Sequence, residues 1–180
     1  SRGLGDVYKR QIKYQIGHDH FHYDNNSFSV ADEYCDRLRE MTIAEIRLGN
    51  FESARASFGK MTHTLQDFFA HSNYIELCQQ KYPNNTPEQI DINDLELLNS
   101  DKLISGKLYY PIEAITFIPF IPKWVISLFP ADSHARMNKD SALSKGYRFA
   151  YCAAVKRTKR EFEKLKATTN PEQFNLFCGF

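Results

Sequence analysis

Residues 58–77 read FGKMTHTLQDFFAHSNYIEL, with His63, Asp67 and His71 four residues apart at the centre and Leu65, Phe68 and Phe69 between them. Each four-residue step on an α-helix advances about 400°, so the first and last of the three polar side chains differ in direction by only about 80°. The stretch predicts a long helix that carries three ligand-capable side chains on one face. Imidazole and carboxylate are groups that zinc accepts, at roughly 2 Å. The triplet looks like half of a metal site. A plainer reading makes the histidines rim residues and the i, i+4 Asp/His pair a surface ion pair.

Outward from this stretch, the helix is expected to run from about Phe51 to Tyr74, about 24 residues and roughly 36 Å. Its core side is Ala54, Phe58, Met61, Leu65 and Phe68. A preceding helix opens with Ser29 as N-cap, buries Tyr34, Leu38, Met41, Ile43 and Ile46, and closes at Gly49–Asn50. A last helix begins near Ala142 or Gly146 and runs to about Ala167, with Tyr147, Tyr151, Ala154, Val155, Phe162 and Leu165 inward. Between residues 82 and 100, prolines and Asn/Asp clusters mark a loop with one short helix after Pro87. No repeat, low-complexity tract or sustained strand alternation is present, so the expected fold is all-α, a helical bundle with long irregular loops.

Two segments read less simply. Ile12 to Ser27 holds His18, His20, His22, Asp19 and Asp24 and is expected to be a loop or short strand entering the site. Ile112 to Pro130 is apolar but interrupted by Pro119, Pro122 and Lys123, too broken to cross a membrane. It is read as an irregular lid over the core; the alternative, suited by Trp124 beside Lys123, is an exposed loop that dips into a membrane surface.

The 180 residues, 42% of them hydrophobic, suffice for one domain with a sizeable core. A net charge of +1 gives no global basic field for nucleic acid. The local run Lys156, Arg157, Lys159, Arg160 and Lys164 reads as a solvated helix face. Cys35, Cys78, Cys152 and Cys178 show no CxxC pairing, which disfavours a cysteine zinc knuckle and allows two disulfides in any of three connectivities. Sequons at Asn25 and Asn84 fit a secreted glycoprotein. The opening SRGLGDVYKRQ resembles translated adapter sequence, so residues 1–11 are read as a non-native tail and 12–180 as a single helical metal-binding domain, a piece of a longer extracellular chain.

The segment His63-Thr64-Leu65-Gln66-Asp67-Phe68-Phe69-Ala70-His71-Ser72-Asn73 closely resembles the signature of the Het-C heterokaryon incompatibility family, and is similar to N-terminal regions of certain von Willebrand factor A domain proteins. Phe21-His22-Tyr23-Asp24-Asn25, Leu103-Ile104-Ser105-Gly106, Ser133-His134 and Met137-Asn138-Lys139-Asp140-Ser141 look like further elements of that family. It is in turn distantly similar to zinc-dependent phospholipase C and fungal zinc nucleases, all-helical enzymes that hydrolyse phosphodiesters. The resemblance implies metal ligation by His22, Asp24, His63, Asp67, His71 and His134. Catalytic roles then fall to Asp67, as a bridge between ions, and to Asp24 or Asp140, orienting the attacking water. Those enzymes also use an N-terminal Trp and a late H-x-x-x-E pair; here the late helix carries Tyr147 and Tyr151 instead, so one or two zinc ions are expected.

Bound zinc acidifies its water from a pKa of 15.7 toward roughly 7, which suits hydrolysis at neutral pH. Asn73, Gln66 and Tyr23 are expected to orient the imidazoles, and Arg136 and Lys139 to reach a phosphate. The apolar stretch favours a phospholipid at a membrane surface over a nucleic acid as substrate. Two alternatives stand beside the hydrolase: a noncatalytic recognition or structural domain with a closed zinc site, and a helical domain with no metal.

Overall fold

The computed structural model describes residues 18–109 and 123–180. The expected tail, 1–11, and residues 112–122 of the apolar stretch lie outside them. Among the described residues the protein is all-α, with eight helices, three short 3-10 segments and no strand.

Helix α1, Phe28–Arg47, buries Ala31, Cys35, Leu38, Thr42 and Ile46. Only Leu38 and Ile46 of these belong to the expected stripe, and Met41 is 52% exposed. The buried row is built largely of small residues, which let α1 lie close along α2, so a search for large apolar residues alone misplaces the face. The N-cap is Ser27, not Ser29, and its side chain makes no cap bond.

Helix α2, Phe51–His71, is the spine of the molecule. Its core side is as expected, with Ala54, Met61, Leu65 and Phe68 buried and Phe58 packed against them. It stops three residues earlier than the reading to Tyr74. Ser72 is extended (φ −104°, ψ 167°), and α3 restarts at Tyr74–Lys81. The break arises because the chain turns to pair with 104–106: Gly106 N donates to His71 O at 2.9 Å and Asn73 N to Ile104 O at 3.0 Å.

A 3-10 turn at Pro87–Gln89 sits where the sequence places a short helix, followed by α4, Leu95–Leu98, capped by the Asp94 carboxylate. Then come α5 (Lys123–Ile126), α6 (His134–Met137), α7 (Tyr147–Thr168) and α8 (Pro171–Cys178). One apolar cluster joins Phe68, Phe69, Tyr74 and Ile75 to Ala150 and Ala153 of α7; a second joins Ile46 and Ala54 to Leu165, Phe174 and Phe177.

The inward face of α7 is as expected only toward its end, where Leu165 is buried and Phe162 packs against the second cluster; Ala150, Ala153 and Glu161 complete it, while Tyr151 is 58% exposed. The buried Glu161 explains why the basic run is no plain solvated face. Its carboxylate receives Arg39 at 2.9 Å and Lys164 at 3.0 Å, with Arg157 at 3.4 Å, and Lys156 donates to Ile90 O at 2.7 Å. All four cysteines are free thiols, so the disulfides allowed by the sequence do not form. Cys35 is packed with Leu38 and Met61, Cys178 against the Phe174 cluster, and Cys78 and Cys152 at the Tyr74 cluster. In the described end of the apolar stretch, Trp124 and Leu128 are exposed and Phe129 is buried. No helix among the described residues is long and apolar enough to cross a membrane.

Candidate metal centre

The six expected ligands converge, and they do so in two groups of three. His63 and Asp67 stand one turn apart on α2, with His63 Nε2 3.5 Å from Asp67 Oδ2. His22, which follows the 3-10 turn Asp19–Phe21, brings Nδ1 to 2.7 Å from the same oxygen. In this first group Asp67 is buried but the His63 side chain is 62% exposed, so solvent reaches it.

One turn further along α2, His71 belongs to the second group. His134 Nδ1 lies 2.7 Å and His71 Nδ1 3.9 Å from Asp24 Oδ1, and the two rings meet edge to face at 4.3 Å. All three residues are buried, Asp24 completely. His71 Nε2 is 3.1 Å from Asp140 Oδ2, which places Asp140 at the edge of this group.

The loops that deliver these side chains are tied to one another. Tyr23, Asn25 and Asn26 all have positive φ, 56°, 53° and 57°. Asn tolerates that region readily; Tyr does not. Tyr23 is held there by its ring against Phe28 and Phe68 and by its hydroxyl, which donates to Asp32 at 2.5 Å. The reversal puts His22 and Asp24 toward α2 and lets the asparagines clamp the next strap: Leu108 N donates to Asn25 Oδ1 and Ser105 N to Asn26 Oδ1, at 2.9 and 2.7 Å. His134 N in turn donates to Lys107 O at 2.9 Å. Gly106 is obligatory at this crossing, since a Cβ there would lie 2.6 Å from His134 Cα.

Charge is unevenly balanced. Burial works against a charged His71, but its hydrogen bond to Asp140 and the charges of Asp67 and Asp24 outweigh it and raise its pKa to about 9. The same hydrogen bond lowers the pKa of Asp140. Among the described residues Asp24 Oδ2 is buried with no hydrogen-bond partner. A buried carboxylate oxygen without a donor is costly, and a cation between Asp24, His71 and His134 would remove the deficit. The donor set, nitrogen and oxygen without sulfur, fits zinc.

Several expected helpers act elsewhere. Asn73 bonds to residues 102 and 104, Gln66 donates to Thr158 Oγ1 and Tyr23 serves Asp32, so none of these side chains hydrogen-bonds an imidazole. Arg136 donates to Phe129 O, and Lys139 is buried, donating to Ser72 O at 2.8 Å and Met137 O at 3.0 Å. Lys139 is thus turned inward and does not reach out for a phosphate, whereas Arg136 is exposed. Lys139 instead fastens the loop bearing Asp140 to the end of α2. His18 and His20 stack around Phe21 and Tyr34, apart from both groups.

Comparison with known families finds a match to the VWA7 N-terminal domain over residues 7–100, more than half of the chain. His22, Asp24, His63, Asp67 and His71 lie inside the matched range; His134 and Asp140 lie beyond it. No curated protein matches the chain, and no solved structure does.

Proposed function

This chain belongs to the VWA7 N-terminal domain family, a von Willebrand factor A-related N-terminal region, and we propose that it is a zinc-binding helical domain with phosphodiester hydrolase activity on phospholipid. The observation that carries the metal reading is Asp24 Oδ2, completely buried without a donor beside two buried imidazoles. His22, His63 and Asp67 would hold a solvent-accessible ion, and Asp24, His71 and His134 a buried one. Zinc supplies Lewis acidity and an acidified water when bound.

Three protein ligands around an accessible ion leave a position open, the arrangement of a catalytic rather than a structural zinc. Hydrolysis rests on the resemblance read from the residues of the His63–Asn73 segment to the Het-C family, and through it to zinc phospholipases C and nucleases; the family match itself is to the VWA7 N-terminal domain alone. The exposed Trp124 and Leu128 support a lipid surface. With Lys139 buried and turned to backbone carbonyls, positioning of a substrate phosphate would fall to the first group and the exposed Arg136. Asp140, 59% exposed and paired with His71, would act at the rim as a carboxylate that accepts a hydrogen bond from the attacking water and orients it, in keeping with its lowered pKa. An extracellular setting belongs to the same reading.

A second reading rests on the second group. Asp24, His71 and His134 are all buried and would hold a structural zinc ion, with Asp140 fixing the His71 ring through its other nitrogen, and the domain would serve recognition without catalysis.

The test is elemental analysis of protein purified without a His tag, for the parent, His63→Ala and Asp24→Asn. Two zinc ions in the parent and one in each variant is the expected result, with hydrolysis of short-chain phosphatidylcholine lost in His63→Ala. Zinc at a hundred times the Kd of each site should stabilise by about 2.7 kcal/mol per ion bound, so Asp24→Asn, with one ion, should gain less than the parent. One ion retained in His63→Ala, without hydrolysis by the parent, selects the structural reading; no zinc in any protein overturns both.

A further inference from the structure

On the other side of α2 from the histidines a cleft of about 660 Å³ opens between α1, α2, α7 and the loop around 92–103. α2 turns Leu65, Phe68 and Phe69 toward it while His63, Asp67 and His71 serve the metal groups. Protein interiors pack to crystal density and leave few voids larger than a water molecule. A hollow of this size falls instead within the roughly 300–1,000 Å³ range of small-molecule sites.

Its walls are divided by chemistry. Phe28, Leu65, Phe68, Ile92, Leu98 and Leu103 form an apolar side, and Arg39, Arg157 and Lys164 stand on the other. The acids around these cations are already engaged. Asp36 and Glu161 pair with Arg39, Lys164 donates to Glu161, and Asp32 receives the Tyr23 hydroxyl. The Tyr23 hydroxyl is neutral and leaves Asp32 a carboxylate beside the cations, while Cys35 adds no further anion, since burial pushes its thiol up to about 12.

Arg157 is left short. Glu161 Oε1 lies 3.4 Å from its Nε, and among the described residues that buried Nε has no hydrogen-bond partner. A guanidinium whose Nε makes no hydrogen bond among the described residues and whose ion pair with Glu161 is long, at the edge of an apolar hollow, matches an anionic head with an apolar tail in both charge and shape, because Arg takes carboxylate and phosphate oxygens two at a time.

We propose that this cleft binds a single-chain amphipathic anion, with the acyl chain along Phe28, Leu65, Phe68 and Leu103 and a carboxylate or phosphate head on Arg157. The site is independent of the metal groups and of any hydrolysis they perform.

Calorimetric titration of the full chain with laurate, dodecyl phosphate and dodecanol, each below its micellar range, tests it. Both anions are expected to bind, with dodecanol about tenfold to a hundredfold weaker, the worth of a charge-assisted hydrogen bond. The tighter anion identifies the head group. Arg157→Gln should bring the anions to the level of the alcohol, and Leu103→Trp, which fills the hollow, should abolish binding of all three. If Arg157→Gln does not fold, Arg157→Lys keeps the charge without the fork and is expected to lose part of the anion preference. Dodecanol binding as tightly as laurate, anion binding unchanged in the Arg157 variants, or no binding of any of the three overturns the proposal.

Discussion

Gly106 shows how a residue with no chemistry of its own can control a site. A Cβ at this position meets His134 at Cα (2.6 Å), N (3.1 Å) and Cβ (3.2 Å), mostly backbone, so the strap carrying 104–107 would have to move away from α6. The Gly106 carbonyl also holds Asn25 N and its amide holds His71 O, each at 2.9 Å. Gly106→Ala is therefore expected to destabilise the fold by about 1–3 kcal/mol, the cost of overpacking, and to lower zinc content through the second group before the first. Thermal unfolding beside elemental analysis reads both effects; an alanine variant with the Tm and zinc of the parent would show that the crossing is not tight. Nothing in composition or periodicity singles this glycine out. The spacing of His63, Asp67 and His71 is legible because helix geometry is local, whereas the approach of residue 106 to residue 134 is a property of two loops meeting.

At the scale of elements, the helices themselves are legible and their faces only partly so. α2 reads correctly because its inner row is large and apolar. α1 and α7 do not, because theirs depend on Ala, Cys, Thr and a buried Glu161. That carboxyl is 1% exposed; burial acts to raise its pKa, yet Lys164 and Arg39 outweigh it and hold the group below its ordinary 4.5. A folded-state pKa below the unfolded one means the stabilisation is fully present above the unfolded value and is lost as pH falls through the folded one. Glu161→Gln should therefore cost about 1–3 kcal/mol near pH 7, where it leaves Arg39 and Lys164 without their shared partner, and the gap in Tm from the parent should narrow as pH drops below about 4.5. Parallel unfolding series for the two proteins from pH 7 to pH 3 measure this. A gap that stays constant over that range would mean that shape, and not charge, makes Glu161 matter.

Over the whole molecule, the second group draws its side chains from regions that share little else. His71 ends a long helix, Asp24 stands in a 3-10 turn, His134 starts α6 and Asp140 lies on the loop after it. The segments 18–27, 104–109 and 132–140 are joined to one another by hydrogen bonds, some between backbones such as Asn25 N to Gly106 O and His134 N to Lys107 O and others through the side chains of Asn25, Asn26 and Ser105. Far along α2, by contrast, Ile46, Ala54, Leu165, Phe174 and Phe177 form an apolar cluster that includes no ligand. Stability is not uniform in such a fold, and the segments held by few buried contacts open at lower free energy than the packed helices. A cation that bridges Asp24, His71 and His134 fastens all three loops to α2 at once. Hydrogen exchange with and without zinc should therefore show protection rising in 18–27, 104–109 and 132–140 and at the end of α2 around His71, while α8 and the Ala54 half of α2 change little. Protection that rises evenly throughout, or nowhere, would mean that zinc does not close these loops onto α2.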